Sequence, residues 1–163
     1  MLKIKEQLPI TEEQINTGLK AVKHPGRLES KKINDQVWLI DVAHNPQSAQ
    51  VLADYLKSQE VQPENRIAIF SALNDKDMLP MVKAMVPFVK TWVIADLGIP
   101  RATKLQNLKT ILLTAGVNQA NIIEFNSIDS AVTAVKEMCN SDVLVWGSFF
   151  TVSQAIASIK GSE

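Results

Sequence analysis

The chain has 163 residues, 46% hydrophobic and 21% charged, which fits one compact globular domain with a sizeable core. Seventeen basic and seventeen acidic residues cancel, so no general field attracts nucleic acid or an acidic membrane, and any anion site must be local. The lone Cys139 excludes an internal disulfide and a cysteine-based zinc site, suits a reducing compartment, and falls on a helical apolar stripe as a packed thiol.

At the amino terminus, Met1-Leu2-Lys3-Ile4-Lys5-Glu6 has no long apolar segment behind its charges, unlike a secretory signal. No apolar run approaches the ~20 residues of a membrane span. Thr11-Glu12-Glu13-Gln14 has the form of a capping box, predicting a helix from about Glu12 to Val22 that stops before His24-Pro25-Gly26. This helix and its lead-in read as detachable from the remainder of the chain.

From Leu28 onward, short apolar runs alternate with helical periods. The predicted strands are Leu28 to Lys31, Val37 to Asp41, Arg66 to Phe70, Thr91 to Ala95, Asn121 to Phe125 and Val143 to Trp146. Between them fall helices near Pro46 to Lys57, Met78 to Val86, Lys104 to Ala115, Ile128 to Cys139 and Phe149 to Ile159. Leu105, Leu108, Ile111, Leu112 and Ala115 share one helical face, with Thr103 as cap and Gly116 as stop. Phe149, Val152, Ala155, Ile156 and Ile159 share another. Such alternation implies an α/β fold with a mainly parallel sheet and helices on both faces. Lys32 to Gln36 is too short a link for a crossover helix, so the first two strands should form an antiparallel pair at a sheet edge.

Polar chemistry gathers where strands end. Asp41-Val42-Ala43-His44-Asn45-Pro46 directly follows the apolar run Val37-Trp38-Leu39-Ile40, at the strand edge where open α/β sheets bind ligands. The Asp41 carboxylate either accepts both hydroxyls of a ribose or caps the turn. His44 either meets a phosphate, carboxylate or metal or simply bonds within the turn. Asn45-Pro46 reads as N-cap and first helical residue, and the following helix end is a ready anion site. Pro25-Gly26-Arg27 delivers an arginine that is either a two-pronged phosphate clamp or a surface charge. In Asp75-Lys76-Asp77, Asp77 reads as a helix cap and Lys76 as solvated. Gly147-Ser148 either lets backbone approach a ligand or makes a tight strand-to-helix turn. No Gly-x-x-x-x-Gly-Lys-Ser/Thr, Gly-x-Gly-x-x-Gly, Gly-x-Ser-x-Gly or His-Glu-x-x-His occurs, so no self-contained nucleotide or hydrolase engine is encoded.

Taken in order, Pro25-Gly26-Arg27, Asp41-Val42-Ala43-His44-Asn45-Pro46, Asp75-Lys76-Asp77, Pro100-Arg101-Ala102-Thr103 and Trp146-Gly147-Ser148-Phe149 resemble the carboxy-terminal domain of folylpolyglutamate synthase/dihydrofolate synthase, of the Mur-ligase group. The resemblance implies a Rossmann-like α/β domain over residues 25–163, with residues 1–24 as a lead-in helix from a central ATPase domain. It implies ATP-dependent addition of L-glutamate to folates through an acyl phosphate, in the cytoplasm, with no nucleic-acid or membrane partner. Arg27 and Asp41 would hold ATP. His44 would act near the γ-phosphate and, with Ser148, near glutamate. Magnesium ligands and most of the folate or dihydropteroate contacts would belong to the missing domains, with no metal ligand in this chain, which alone should not catalyse ligation. Two positions depart from the family pattern: Phe150 stands where many relatives have His, and the Pro100-Arg101 loop lacks a second glycine. Two other readings compete: a non-catalytic α/β module for a nucleotide or acidic metabolite, and a response-regulator-like domain resting on Asp96, which lacks the acidic pair such a domain needs.

Overall fold

The structure, a computed structural model, describes residues 10–22, 24–59, 62–138 and 141–161. Cys139, expected at the end of a helix, lies outside the described residues. A first helix, α1 (Glu12–Ala21), starts at the predicted capping box: the Thr11 hydroxyl accepts the Gln14 amide and the Gln14 side chain accepts the Thr11 amide. It leaves Leu19 and Val22 exposed.

Six strands come next, β1 (Glu29–Ile33), β2 (Gln36–Ile40), β3 (Arg66–Phe70), β4 (Thr91–Ala95), β5 (Ile122–Phe125) and β6 (Asp142–Trp146). They form one sheet in the order β1-β2-β6-β3-β4-β5. β1 is the antiparallel edge strand, with Glu29 opposite Ile40 and Ile33 opposite Gln36, and every other pairing is parallel. The hairpin is tighter than the sequence implied. Asn34, at φ +53°, turns the chain in a left-handed conformation that asparagine tolerates. Leu28 stands at φ +46°, outside the strand assigned to it, because it belongs to the turn that presents Arg27.

Helices α2 (Pro46–Lys57), α3 (Met78–Met85) and α4 (Leu105–Thr114) pack on one sheet face, and α5 (Ile128–Lys136) and α6 (Phe149–Lys160) on the other. Crossover handedness explains the division. The chain moves outward from β2 through β3 and β4 to β5, then returns to insert β6 between β2 and β3. A right-handed crossover that reverses direction must cover the opposite face. Alternation along β3 and β6 feeds both layers: Phe70, Trp92 and Trp146 form an aromatic cluster under α2 to α4, with centroids 4.6 to 6.3 Å apart, while Ile69 and Val145 pack under α5 and α6. Gln36 closes the far end of α5. Its amide donates to the Val135 carbonyl at 2.9 Å, its amide oxygen accepts Trp38 Nε1 at 3.0 Å, and it is 4% exposed.

Two cap assignments change. Lys104, not Thr103, occupies the N-cap of α4. Thr103 is buried because Leu73 and Ala102 form an antiparallel bridge, so its amide donates to Ala72 and its hydroxyl to Met78 Sδ. Asp77 does occupy the N-cap of α3 but makes no side-chain cap hydrogen bond. Among the described residues, no helix is long and apolar enough to cross a membrane.

Candidate functional site

β6 is flanked by β2 and β3, and its helix leaves on the opposite face from theirs. The carboxyl ends of these strands therefore open a crevice where the strand order reverses. The Pro25, Asp41 and Gly147 turns all meet there.

Asp41 extends the parallel ladder, its amide donating to Val145 at 2.9 Å. Its carboxylate accepts the Leu28 amide on Oδ2 at 2.9 Å and the Ala43 amide on Oδ1 at 2.7 Å. The turn-capping role is thus real, and each oxygen keeps a second lone pair for a ligand. Val42 donates to the Gly26 carbonyl at 2.8 Å, and Glu29 Oε2 accepts the Gly26 amide at 2.8 Å. That amide holds the Glu29 carboxyl below its usual range, with Lys31 adding to the effect and burial opposing it. Gly26 is required: at φ +72°, a Cβ there would lie 2.9 Å from Val152 Cγ1. The backbone beneath Arg27 is therefore pinned on both sides. Its side chain is exposed, with no hydrogen bond or ion pair among the described residues, beside a surface cleft of about 610 Å³ shared with His24 and Glu29.

His44 Nδ1 lies 2.9 Å from the Val42 carbonyl. A carbonyl only accepts, so that nitrogen carries the proton and Nε2 of the neutral ring keeps its lone pair. The ring is tilted 46° against Phe149, centroids 5.5 Å apart. Phe149, expected in the core, is 55% exposed, because it covers His44 at the crevice instead. Asn45 caps α2 as predicted, and Ser48 completes a reciprocal box with it. Ser48 is not among the expected site residues; the sequence signal for it is the Asn-x-x-Ser spacing itself.

At the end of β6, Gly147 has φ +112°, and a Cβ there would lie 2.4 Å from the Ser71 carbonyl oxygen. The tight turn and the close backbone approach are one feature. Ser148 is 2% exposed; its hydroxyl accepts the Thr151 amide at 3.0 Å and lies 2.7 Å from Thr151 Oγ1. Thr151 Oγ1 in turn donates to the Ser71 carbonyl at 2.6 Å. The Ser148 hydroxyl is engaged as the cap of α6, so what this residue offers a ligand is the helix end it orients. Below it, Ser71 Oγ and Trp146 Nε1 are buried without partners among the described residues, which nothing in the structure explains.

Farther along the same edge, the loops after β3 and β4 are bound together, with the Asn74 amide donating to the Arg101 carbonyl at 3.0 Å. Lys76 is not merely solvated: it and Arg101 pair with Asp75 Oδ2 at 3.1 and 3.2 Å. The Lys76 hydrogen bond chiefly holds the Asp75 carboxyl below its usual range. Asp96 Oδ1 accepts the Gly98 amide at 2.7 Å, a turn-capping role. Among the described residues, no group of three His, Cys, Asp or Glu side chains could hold a metal ion.

A mainly parallel sheet with a strand-order switch, helices on both faces, and a basic turn, a carboxylate and an imidazole at its carboxyl edge make this a doubly wound α/β domain. Residues 26–149 match the family model "Mur ligase, glutamate ligase domain", and the chain belongs to that family. It is 30% identical over 156 residues to the dihydrofolate synthase/folylpolyglutamate synthase of Escherichia coli, covering 93% of this chain and 34% of that protein. The Buchnera aphidicola (Schizaphis graminum) protein of the same name is 29% identical over 150 residues, or 90% of this chain and 34% of its own length. The chain thus spans about a third of these relatives. Escherichia coli FolC in complex with DHPP and ADP superposes with TM-score 0.81 at 27% identity, over 95% of this chain and 36% of that one. The Yersinia pestis bifunctional folylpolyglutamate synthase/dihydrofolate synthase with Mn, AMPPNP and L-glutamate bound gives 0.75 at 28%, over 94% and 36%.

Proposed function

We propose that this chain is the carboxy-terminal domain of a cytoplasmic ATP-dependent ligase that adds L-glutamate to folates through an acyl phosphate. Residues 25–163 form the ligase domain, and residues 1–24 lead in from a central ATPase domain. The observation that carries the reading is the crevice around β6, where Arg27, Asp41 and His44 meet the amino ends of α2 and α6 in a Mur-ligase family chain. The residues fit ATP: Arg27 supplies an exposed guanidinium fork, unpaired among the described residues, for phosphate oxygens, and Asp41 has spare acceptor capacity for ribose hydroxyls. With its Nδ1 proton fixed by Val42, His44 presents Nε2 to accept a hydrogen bond from the incoming glutamate ammonium. Ser148 orients the α6 terminus toward the glutamate carboxylates. Magnesium would screen the phosphate charge when bound, and this reading assigns its ligands and most folate contacts to the other domains.

The test replaces the carboxy-terminal third of the Escherichia coli relative with this chain and assays ATP-dependent glutamate addition to a folate, then to dihydropteroate. Turnover by the chimera but not by the isolated chain is the expected result. A chimera that folds and binds folate but never turns over would favour a non-catalytic binding module.

A further inference from the structure

The opposite end of the sheet holds a second polar site. At the amino ends of β2, β6 and β3, under the last turn of α2, a cavity of about 300 Å³ is lined by Val37, Leu39, Tyr55, Leu56, Arg66 and Asp142. Arg66 and Asp142 are register partners on adjacent parallel strands and share a sheet face. Opposite charges so placed, about 5 Å apart at the backbone, ordinarily pair. Here no ion pair joins them. Arg66 Nη1 turns away to donate to the Phe88 carbonyl at 3.0 Å, and the remaining guanidinium donors find no acceptor among the described residues. Asp142 makes no side-chain hydrogen bond among those residues either.

Arg66 is 4% exposed, so it is a nearly buried cation with most of its hydrogen-bonding capacity unspent. Burial lowers the pKa of its guanidinium and the Asp142 charge opposes that, so the two sense each other without touching. Leu39 and Leu56 make an apolar wall beside this pair, and Val37 is 46% exposed at its mouth. A separated cation and anion beside an apolar wall match a ligand with both charges on one end and a hydrocarbon on the other.

We propose that this cavity binds a small α-amino acid with an apolar side chain, its carboxylate on Arg66, its ammonium on Asp142 and its side chain against Val37, Leu39 and Leu56. The volume admits a ligand of that size and not a nucleotide. Five-residue strands place the cavity roughly 17 Å from the crevice around β6, so the site is distinct from the proposed ligase centre and does not depend on it.

The probe is L-leucine, titrated into the isotope-labelled 163-residue chain and followed by NMR. The expected result is saturable shifts of the Val37, Leu39 and Leu56 methyls, with Gly26 and His44 unmoved. 3-Methylbutylamine, which lacks the carboxylate, and 4-methylvalerate, which lacks the ammonium, should each bind at least tenfold more weakly. Asp142→Asn and Arg66→Lys should each weaken leucine binding at least tenfold. Should Arg66→Lys fail to fold, Val37→Trp decides: it fills the mouth from an exposed strand position and should abolish binding in a folded protein. No saturable shift by about 10 mM leucine, beyond a millimolar Kd, overturns the proposal. So does equal binding of either half-ligand, or leucine binding that survives Val37→Trp.

Discussion

Asp41, Glu29 and Gly26 together make one clasp, in which two carboxylates hold the backbone on either side of Arg27. Its pH behaviour is set by Glu29. The folded carboxyl sits below the ordinary 4.5, so its stabilisation is complete above that pH and is lost as pH falls through the lowered folded value. Glu29→Gln should therefore melt below the wild type at neutral pH, and the gap should close in acid. Thermal melts from about pH 6 to about pH 3 check this. Glycine positions separate two costs. Gly147→Ala meets both φ +112° and the Ser71 carbonyl and should lose roughly 2–4 kcal/mol. Gly98→Ala, at φ +65° in open space, should lose only about 1 kcal/mol, the left-handed penalty alone. Urea denaturation of both variants separates collision from conformation.

Among the elements, α1 and α2 begin with the same device and use it differently. Both have reciprocal capping boxes, at Thr11 and Asn45. α2 buries Ala49, Leu52, Ala53 and Leu56, whereas α1 leaves Leu19 exposed and Ile15 only half-buried. Asn45→Ala should cost about 1 kcal/mol of global stability. Thr11→Ala should reduce far-UV helicity without shifting the main transition, since α1 adds little to the core. Equal shifts in the two unfolding midpoints would show that α1 belongs to the cooperative unit. The Thr11 capping box, the Asn45-Pro46 helix start and the Leu105–Ala115 stripe are legible because each is a local pattern of a few residues. Thr103 departs from its expected role for the opposite reason: the Leu73–Ala102 bridge, a contact distant in sequence, draws it into the core.

For the whole molecule, the central question is whether the crevice clamps a nucleotide or merely holds turns together. In the chimera, Arg27→Ala should raise the Michaelis constant for ATP, at roughly 1.5–3 kcal/mol per lost charge-assisted bond, and leave the melting temperature nearly unchanged. Arg27→Lys should recover only part, because an ammonium lacks the planar fork. Asp41→Ala should lower both stability and discrimination against deoxy-ATP, since its carboxylate has two backbone partners to lose. A normal ATP constant in both alanine variants would leave the turn-holding role as the whole account.

The alternation of apolar runs and helical periods determined by itself that the chain is α/β and where its elements lie, and five short motifs in order placed it beside one ligase family. Those signals are local, carried by side-chain periodicity of two or 3.6 residues and by turn chemistry. Which strands are neighbours is different information. β6 enters between β2 and β3 only because the crossover from β5 reverses direction, and that insertion creates the crevice. The folded chain alone decided that Phe149 leaves the core to cover His44, and that Arg66 and Asp142 face one cavity without pairing with each other. Each depends on residues brought together across tens of positions, where the short-range patterns of a sequence carry no register.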